Sequence, residues 1–443
     1  MTNYQIRLDI QSRARHFVGV HQDLQIDIGR LAARLSELGA IGSTGDGGCA
    51  RLALTDEDRA GRDLVVTWMA DLGLDISIDE IGNVVATRPG LSEGPPVMCG
   101  SHIDTVATGG IYDGNLGVLA GLEVIETLSR AGVTTRRPLA VAFFTDEEGA
   151  RFSPDMLGSL VYCGGLGVEE ARDIVASDGA RLGDELARIG YVGSAPCPGL
   201  APYAYVELHI EQGPVLEAHG EDIGAVTGVQ GISWQELTLV GQSNHAGTTP
   251  MSYRHDPGLV AAEIAVQARR LAVGMGADQV ATVGRLELVP NLVNVVAAKA
   301  SMTVDLRNTD EELLAEAEAK LAEEIDEICR REGVSWSTRR LARFAPVEFD
   351  PTVVSLVEAK ALGLGLSVRR LASGAGHDAQ MLARMCPAGM IFVPSVGGIS
   401  HNPKEFTDTG HLEAGANVLL QVLLDLADTD VLGSQVEAVG VEG

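Results

Sequence analysis

Between residues 232 and 341 the sequence spells out six elements in a fixed order, and that order narrows the fold more than any single motif. Ile232–Val240 reads as a strand, 256–273 as a helix, 280–289 and 294–306 as two strands, 310–332 as a helix with an acidic face, and 333–341 as a strand. The order β-α-β-β-α-β is that of a ferredoxin-like split βαβ domain. A different pattern holds on either side. Residues 24–39 carry apolar positions at helical spacing, and so do 55–73 after Thr55, a side chain suited to capping a helix. Short apolar runs at Asn83–Thr87, Pro96–Gly100 and Leu139–Thr145 read as buried strands, with a helix over 114–131 between the last two. Strand, helix, strand at that spacing predicts an α/β sheet that is largely parallel. After Pro346 a helix and a short strand, Gly389–Pro394, resume this pattern. The expectation is a mixed, largely parallel sheet flanked by helices, built from 1–229 and 346–443, with a ferredoxin-like α+β domain (230–345) inserted into it. A length of 443 residues agrees, being too great for one core.

Charge and composition exclude several function classes. A formal charge of −28 argues against a nucleic-acid partner, because binding phosphates requires cations that displace counterions. Bound divalent cations would neutralise part of that charge. The cysteines (Cys49, Cys99, Cys163, Cys197, Cys329 and Cys386) show neither metal-type nor redox spacing and read as core residues in a reducing compartment. The opening MTNYQIRLDIQSRAR lacks the apolar centre of a signal peptide, and no apolar stretch approaches the roughly 20 residues of a membrane span. A cytoplasmic protein without membrane partners is expected.

Ligand chemistry gathers where strands end, the usual place for sites in an open α/β sheet. VMCGSHIDTV puts His102 and Asp104 just past one strand, and AFFTDEEGARF puts Asp146, Glu147 and Glu148 past another. GGIYDGNLGV sets Asp113 among glycines, YVELHIEQGP adds His209, and SVGGISHNP adds His401. Imidazoles mixed with carboxylates suit zinc, manganese, cobalt or nickel, and not calcium. Five such ligands hold two ions if one carboxylate bridges them, at a separation of about 3.5–4 Å. Asp104, two residues beyond His102, is placed to take the second imidazole N–H. Adjacent glutamates at a strand end point different ways, so one can bind a cation while the other faces the attacking water.

These pieces, in this order, resemble the M20 family of metallopeptidases, in the branch of N-carbamoyl-L-amino acid hydrolases, allantoate amidohydrolases and β-ureidopropionases. The resemblance runs from TGDGGCARLALTDEDRAGRDLV through GSHIDTVATGGIYDGNLGVLAGLEV, FTDEEGARF and ELHIEQGPVLE to GQSNHAGTTPM, SGAGHDA and GGISHNPKE. It implies that Asp113 bridges two divalent ions, with His102 and His209 completing one site and Glu148 and His401 the other. It further implies that Glu147 is the general base and that Asp104 supports His102. His209 marks the branch, since dipeptidase- and aminoacylase-type relatives carry a carboxylate there. Gln212 matches a position that binds the ureido substrate, and His245 resembles the residue that stabilises the tetrahedral oxyanion. Asn294 and Arg307 resemble the groups that hold the substrate carboxylate, a task for which a guanidinium fork is suited. The family often reads NVVPGK where this chain has NVVAAK at 294–299.

The resemblance also implies a small carboxylated ureido or amide substrate and a homodimer paired through the inserted domain, with the histidine of one chain reaching its partner's metals. N-carbamoyl-L-amino acids are the leading substrate expectation. Allantoate and β-ureidopropionate are the alternatives, followed by a peptidase or aminoacylase or an inactive binding protein. Gly376 and His377, in the Gly-rich SGAGHDA, are candidate substrate contacts. GSTGDGG at 42–48 lacks the Lys-Ser/Thr ending of a phosphate loop and reads as a loop near the site entrance. His16, His21, His219, His255 and His411 lie in no recognisable pattern.

Overall fold

The computed structural model describes residues 23–430 except 177 and 277, together with 432. His16 and His21 lie outside the described residues. Two compact units emerge. One holds the described residues up to Thr227, Phe349–Leu371 and the described residues from Gly376 on; the other holds Gly228–Glu348 and Ala372–Ala375.

The strands are β1 (Asp75–Ile78), β2 (Val84–Arg88), β3 (Val97–His102), β4 (Leu139–Phe144), β5 (Ala204–Ile210) and β6 (Ile223–Val229). Then follow β7 (Gly231–Val240), β8 (Asn244–His245), β9 (Val280–Thr282), β10 (Leu286–Val289), β11 (Val295–Val296), β12 (Lys299–Asn308) and β13 (Ser335–Phe344). The last are β14 (Val347–Glu348), β15 (Val368–Ser373) and β16 (Ala388–Val393).

In the first unit the sheet runs β1-β2-β4-β3-β5-β16-β6, with β15 also on β6. The centre is parallel: β4 on β3, β3 on β5 and β5 on β16. The flanks are antiparallel, at β1/β2, β2/β4 and β16/β6, so the sheet is mixed with a parallel heart. Every residue of β3, β4, β5 and β16 is buried, as expected where helices cover both faces. Helices Asn115–Arg130 and Thr409–Asp428 pack on β3 and β5, and the short helices Leu157–Tyr162 and Asp378–Leu382 pack on β4 and on β5 and β16 respectively. Helix Asp56–Asp71 is capped as its sequence suggests. Thr55 Oγ1 accepts from Asp58 N at 3.2 Å, and Asp56, Glu57 and Asp58 complement the positive end of the helix dipole.

The second unit carries a sheet ordered β10-β12-β7-β13, with β9 also on β12. Helices Pro257–Met275 and Glu311–Glu332 cover it, and Leu237, Leu239, Ile264, Met302, Leu321 and Ile325 lie in the core between. The expected strand 280–289 is two strands, β9 and β10, and the expected 294–306 is β11 followed by β12. The unit's edges fall slightly outside 230–345. Val347 and Glu348 pair with Val229 and Gly228, while Ser373 O accepts from Gln230 N at 2.9 Å. Among the described residues no helix is long and apolar enough to cross a membrane.

Candidate active site

Because β3, β4, β5 and β16 run parallel, their C-terminal ends share one edge of the sheet, and the chain delivers its imidazoles and carboxylates there. His102 is the last residue of β3 and not, as the sequence suggested, just past it. His209 is the penultimate residue of β5, and Glu147 and Glu148 follow β4. Asp113 lies just before helix Asn115–Arg130, which returns from β3.

Asp113 is the centre of the cluster. Its Oδ1 lies 3.2 Å from His209 Nε2 and 3.6 Å from His102 Nε2, and its Oδ2 lies 3.5 Å from His401 Nε2. His401 Nε2 is in turn 3.2 Å from Glu148 Oε2. Two donor groups result, His102–Asp113–His209 and Asp113–Glu148–His401, each with ligand atoms within 4.8 Å of one another. Burial alone would raise Asp113, but hydrogen bonds from His102, His209 and His401 hold it well below the usual carboxylate range. The histidines answer in kind. Contacts with Asp113 and Glu148 lift His401 to about 10, and attraction by Glu147, Asp113 and Asp104 overcomes burial to lift His102 well above its ordinary value. Imidazoles and carboxylates converging this closely, with His102, Asp113 and His209 buried and His401 at the exposed rim, form a donor set that divalent cations fit, and Glu148 Oε1, buried without a hydrogen-bond partner among the described residues, offers a further donor. The group Glu207–His209–His377 also comes within 4.8 Å, but its atoms are committed. Glu207 accepts from Ser101 Oγ at 2.6 Å and Ala379 N at 2.8 Å, and His209 Nδ1 bonds Ile210 O at 2.8 Å.

The glutamate pair diverges. Glu147 Oε2 is 3.3 Å from His102 Nε2, whereas Glu148 faces His401. Burial, reinforced by Asp378, Glu148 and Asp104 against the opposing pull of His102, holds Glu147 well above the usual carboxylate range. The loop carrying the pair is tied to helix Leu157–Tyr162: Leu157 N donates to Asp146 O at 3.2 Å and Met156 N to Glu147 O at 2.7 Å. Asp104 corrects the expectation made for it. His102 Nδ1 bonds the main-chain oxygen of Asp104 at 2.9 Å, while the carboxylate oxygen nearest that nitrogen is 3.9 Å away. The carboxylate instead accepts from Glu147 N and Glu148 N, both at 3.3 Å. Asp104 thus orients His102 with its backbone and the Glu-Glu loop with its side chain.

Gln212, at φ +57°, points Nε2 at Asp113 Oδ2, 2.8 Å away, and its Oε1 is buried without a partner among the described residues. His377 is buried with its ring edge-on to His209, 4.6 Å between centroids, and burial followed by repulsion from His209 keeps it well below its ordinary value. Gly376, beside it, abuts the Met156 side chain. The 42–48 loop leads into Cys49, whose N donates to Gly109 O at 2.9 Å, and Gly48 lies against Pro403.

In the second unit, His245 lies on β8 opposite Val295 of β11, and Asn294 immediately precedes β11. His245 is exposed, and its Nδ1 accepts from Gly247 N at 3.1 Å and Thr248 N at 3.2 Å, which puts the ring proton on Nε2. Ala246 N donates to Asn294 O at 2.9 Å. Arg307, on β12, reaches both carboxylate oxygens of Asp305 through Nε at 3.1 and 3.2 Å, and Nη1 donates to Gly374 O at 2.6 Å.

The sequence reading did not single out Glu207, Asp378, Ser400 or Glu405. All but the half-buried Ser400 are buried acids, and Glu405, inside SHNPKE, carried the only available signal, its spacing of four from His401. His219, His255 and His411 serve locally: His219 Nδ1 meets Val215 O at 2.8 Å, His255 Nδ1 meets Glu332 O at 2.9 Å, and His411 Nε2 lies 3.9 Å from Asp222. All six cysteines are free thiols.

Comparison with known proteins points the same way. Residues 98–425 match the model of peptidase family M20/M25/M40. The chain is 41% identical over 408 residues to an N-carbamoyl-L-amino-acid amidohydrolase of Rhizobium meliloti, covering 92% of this chain and 98% of that protein. It is 34% identical over 395 residues to an allantoate amidohydrolase of Bacillus subtilis (strain 168), covering 88% and 95%. It is also similar to the crystal structure of a hydantoinase/carbamoylase family amidase from Burkholderia multivorans, with a TM-score of 0.89 and 43% identity, covering 92% of this chain and 99% of that one.

Proposed function

As the chain belongs to peptidase family M20/M25/M40, we propose that it hydrolyses the carbamoyl C–N bond of N-carbamoyl-L-amino acids, releasing amino acid, carbon dioxide and ammonia. The observation that carries the reading is Asp113, one carboxylate shared by two His/carboxylate donor groups, in a chain with a relative of that activity at 41% identity. In this reading His102, Asp113 and His209 hold one divalent cation, and Asp113, Glu148 and His401 hold a second, each zinc, manganese, cobalt or nickel. Such a pair, when bound, supplies Lewis-acid polarisation of the scissile carbonyl and makes water more acidic.

The chain's own residues do the rest. Glu147 takes the proton of the attacking water on its carboxylate and returns it to the leaving nitrogen, acting as general base and then as general acid. Asp104 keeps Glu147 and Glu148 in place through their backbone N–H groups. His245 offers its Nε2–H to the oxyanion, and Asn294 and Arg307 hold the substrate carboxylate. Gln212, Gly376 and His377 contact the ureido group. The active form is a homodimer paired through the second unit, in which His245 serves the partner's site. Allantoate is the second reading, favoured by the allantoate amidohydrolase among the relatives.

The test is ammonia release over N-carbamoyl amino acids, allantoate, β-ureidopropionate and dipeptides, after chelation and with Mn, Co, Ni or Zn restored singly. N-carbamoyl-L-amino acids should give the highest kcat/KM, activity should vanish on chelation, and two ions per chain should bind at saturation. Full turnover by a verified metal-free preparation would end the two-cation reading, and preference for allantoate would select the second.

A further inference from the structure

Glu405 sits four residues beyond His401, inside a loop where a glutamate would ordinarily face water, yet it is 5% exposed. Its Oε1 accepts from two consecutive backbone amides, Tyr112 N at 3.2 Å and Asp113 N at 3.1 Å. Its Oε2 lies 3.0 Å from Ser400 Oγ, and the same hydroxyl lies 3.0 Å from Asp113 Oδ2, so one proton is shared between the two carboxylates. The seat is shaped for this side chain. A Cβ added at Gly110 would fall 2.3 Å from Glu405 Oε1 and 2.5 Å from its Cβ and Cδ, so the Asp113 loop can run this close only with glycine there. Glu405 belongs to neither donor group, because its oxygens meet N–H and O–H donors and no imidazole.

We propose that Glu405 is a positioning residue: it fixes the peptide of Asp113 and locks the loop carrying His401 to the loop carrying Asp113, so that one carboxylate is aimed at both donor groups. Two anchored loops 292 residues apart in sequence then move as one. The inference rests on the two-cation reading. Without Glu405, the buried amide of Asp113 and the part-buried amide of Tyr112 lose their acceptor, and the Asp113 peptide is free to turn toward another. Loss of such an outer partner typically costs about 10–100-fold in metal affinity.

Three variants test it: Glu405→Ala, the isosteric Glu405→Gln, and Gly110→Ala, which crowds the seat. Cobalt(II) affinity is measured by chelator competition and site geometry by the visible absorption of the cobalt-loaded protein. Circular dichroism of the metal-free protein checks folding. Glu405→Ala and Gly110→Ala should bind cobalt about 10–100-fold more weakly with an altered spectrum. Glu405→Gln, whose amide oxygen still accepts from both backbone N–H groups, should recover most of the affinity. Folded Glu405→Ala with wild-type affinity and spectrum would overturn the assignment. If Glu405→Ala does not fold, wild-type binding by Gly110→Ala overturns it equally. Failure of the wild-type chain to bind two ions would instead remove the two-cation reading beneath it.

Discussion

Gly114→Ala tests the site through one methyl group placed where the geometry is least forgiving. Gly114 has φ +65°, and a Cβ there would lie 2.4 Å from Cε1 and Nε2 of His102 and 2.5 Å from Nδ1. With ψ at −50° this is the strained γ-turn region, closed by Asn115 N donating to Asp113 O at 2.6 Å, and it costs a non-glycine residue about 1–3 kcal/mol. The collision costs more in function than in stability. Carbon contacts settle near 3.5–4.0 Å, so the His102 ring must retreat by about 1 Å. That ring is pinned by the 2.9 Å bond from Nδ1 to Asp104 O, so retreat strains the bond that fixes its tautomer. The amide of Gly114 also donates to His209 Nε2 at 3.2 Å, so relieving the strained φ disturbs a second imidazole of the same donor group. Metal–ligand distances tolerate shifts of about 0.2 Å, far less than the displacement required.

The expected outcome is a folded protein, less stable by about 1–3 kcal/mol from the backbone strain, that loses at least about tenfold in affinity at the His102–Asp113–His209 group. Binding at Asp113–Glu148–His401 should fall less, since the three atoms nearest the new methyl all belong to His102. Chelator competition with cobalt or zinc reads both steps, and urea unfolding of the metal-free protein reads the stability. Two wild-type affinities in Gly114→Ala would refute the placement of His102 as a ligand.

Three more predictions follow from the proposed roles. Glu147→Gln should keep fold and metal content while kcat falls by roughly 10²–10⁴, whereas Glu148→Gln should chiefly weaken metal binding; the reverse pattern in kinetics and metal analysis would exchange the two. Arg307→Lys should lower kcat/KM by about 10–100-fold through loss of charge-assisted bonds worth about 1.5–3 kcal/mol, and an amidated substrate should be poor for the wild-type enzyme. Equal kcat/KM for acid and amide would remove Arg307 from the site and leave it as the partner of Asp305. Mixing inactive His245→Ala and Glu147→Gln chains with proven subunit exchange should restore about a quarter of wild-type activity, because random pairing makes half the dimers mixed and each mixed dimer holds one intact shared site. No recovery would place His245 in the site of its own chain.

What the sequence disclosed and what it hid divide along a physical line. His102, Glu147 and Glu148 were legible because each ends or follows a short, largely apolar run, where an ionisable side chain is conspicuous, whereas His209 stood out through its ELHIEQGP context. The parallel heart of the sheet was legible for the same reason, while β5 itself was not, since Glu207 and His209 interrupt its apolar run. The partners that aim these groups were not legible. Asp104 was read as a carboxylate for His102, since spacing shows only that the two are near; which atom makes the bond depends on the chain turning at the end of β3 so that the main-chain oxygen reaches Nδ1. That turn frees the carboxylate for the amides of residues 147 and 148, an arrangement set by β4 lying beside β3. Glu405, next to Lys404, has the look of a solvated loop charge until 292 residues of intervening chain bring Tyr112 and Asp113 against it. A ligand needs only the right side chain at the end of a buried strand, which is a local property. Its aim needs a second segment delivered at about 3 Å, which is a property of the whole topology. Changing an aiming residue should therefore alter affinity and spectrum while leaving the ligand set intact, and that separates the expected behaviour of Glu405→Ala from that of Glu148→Gln.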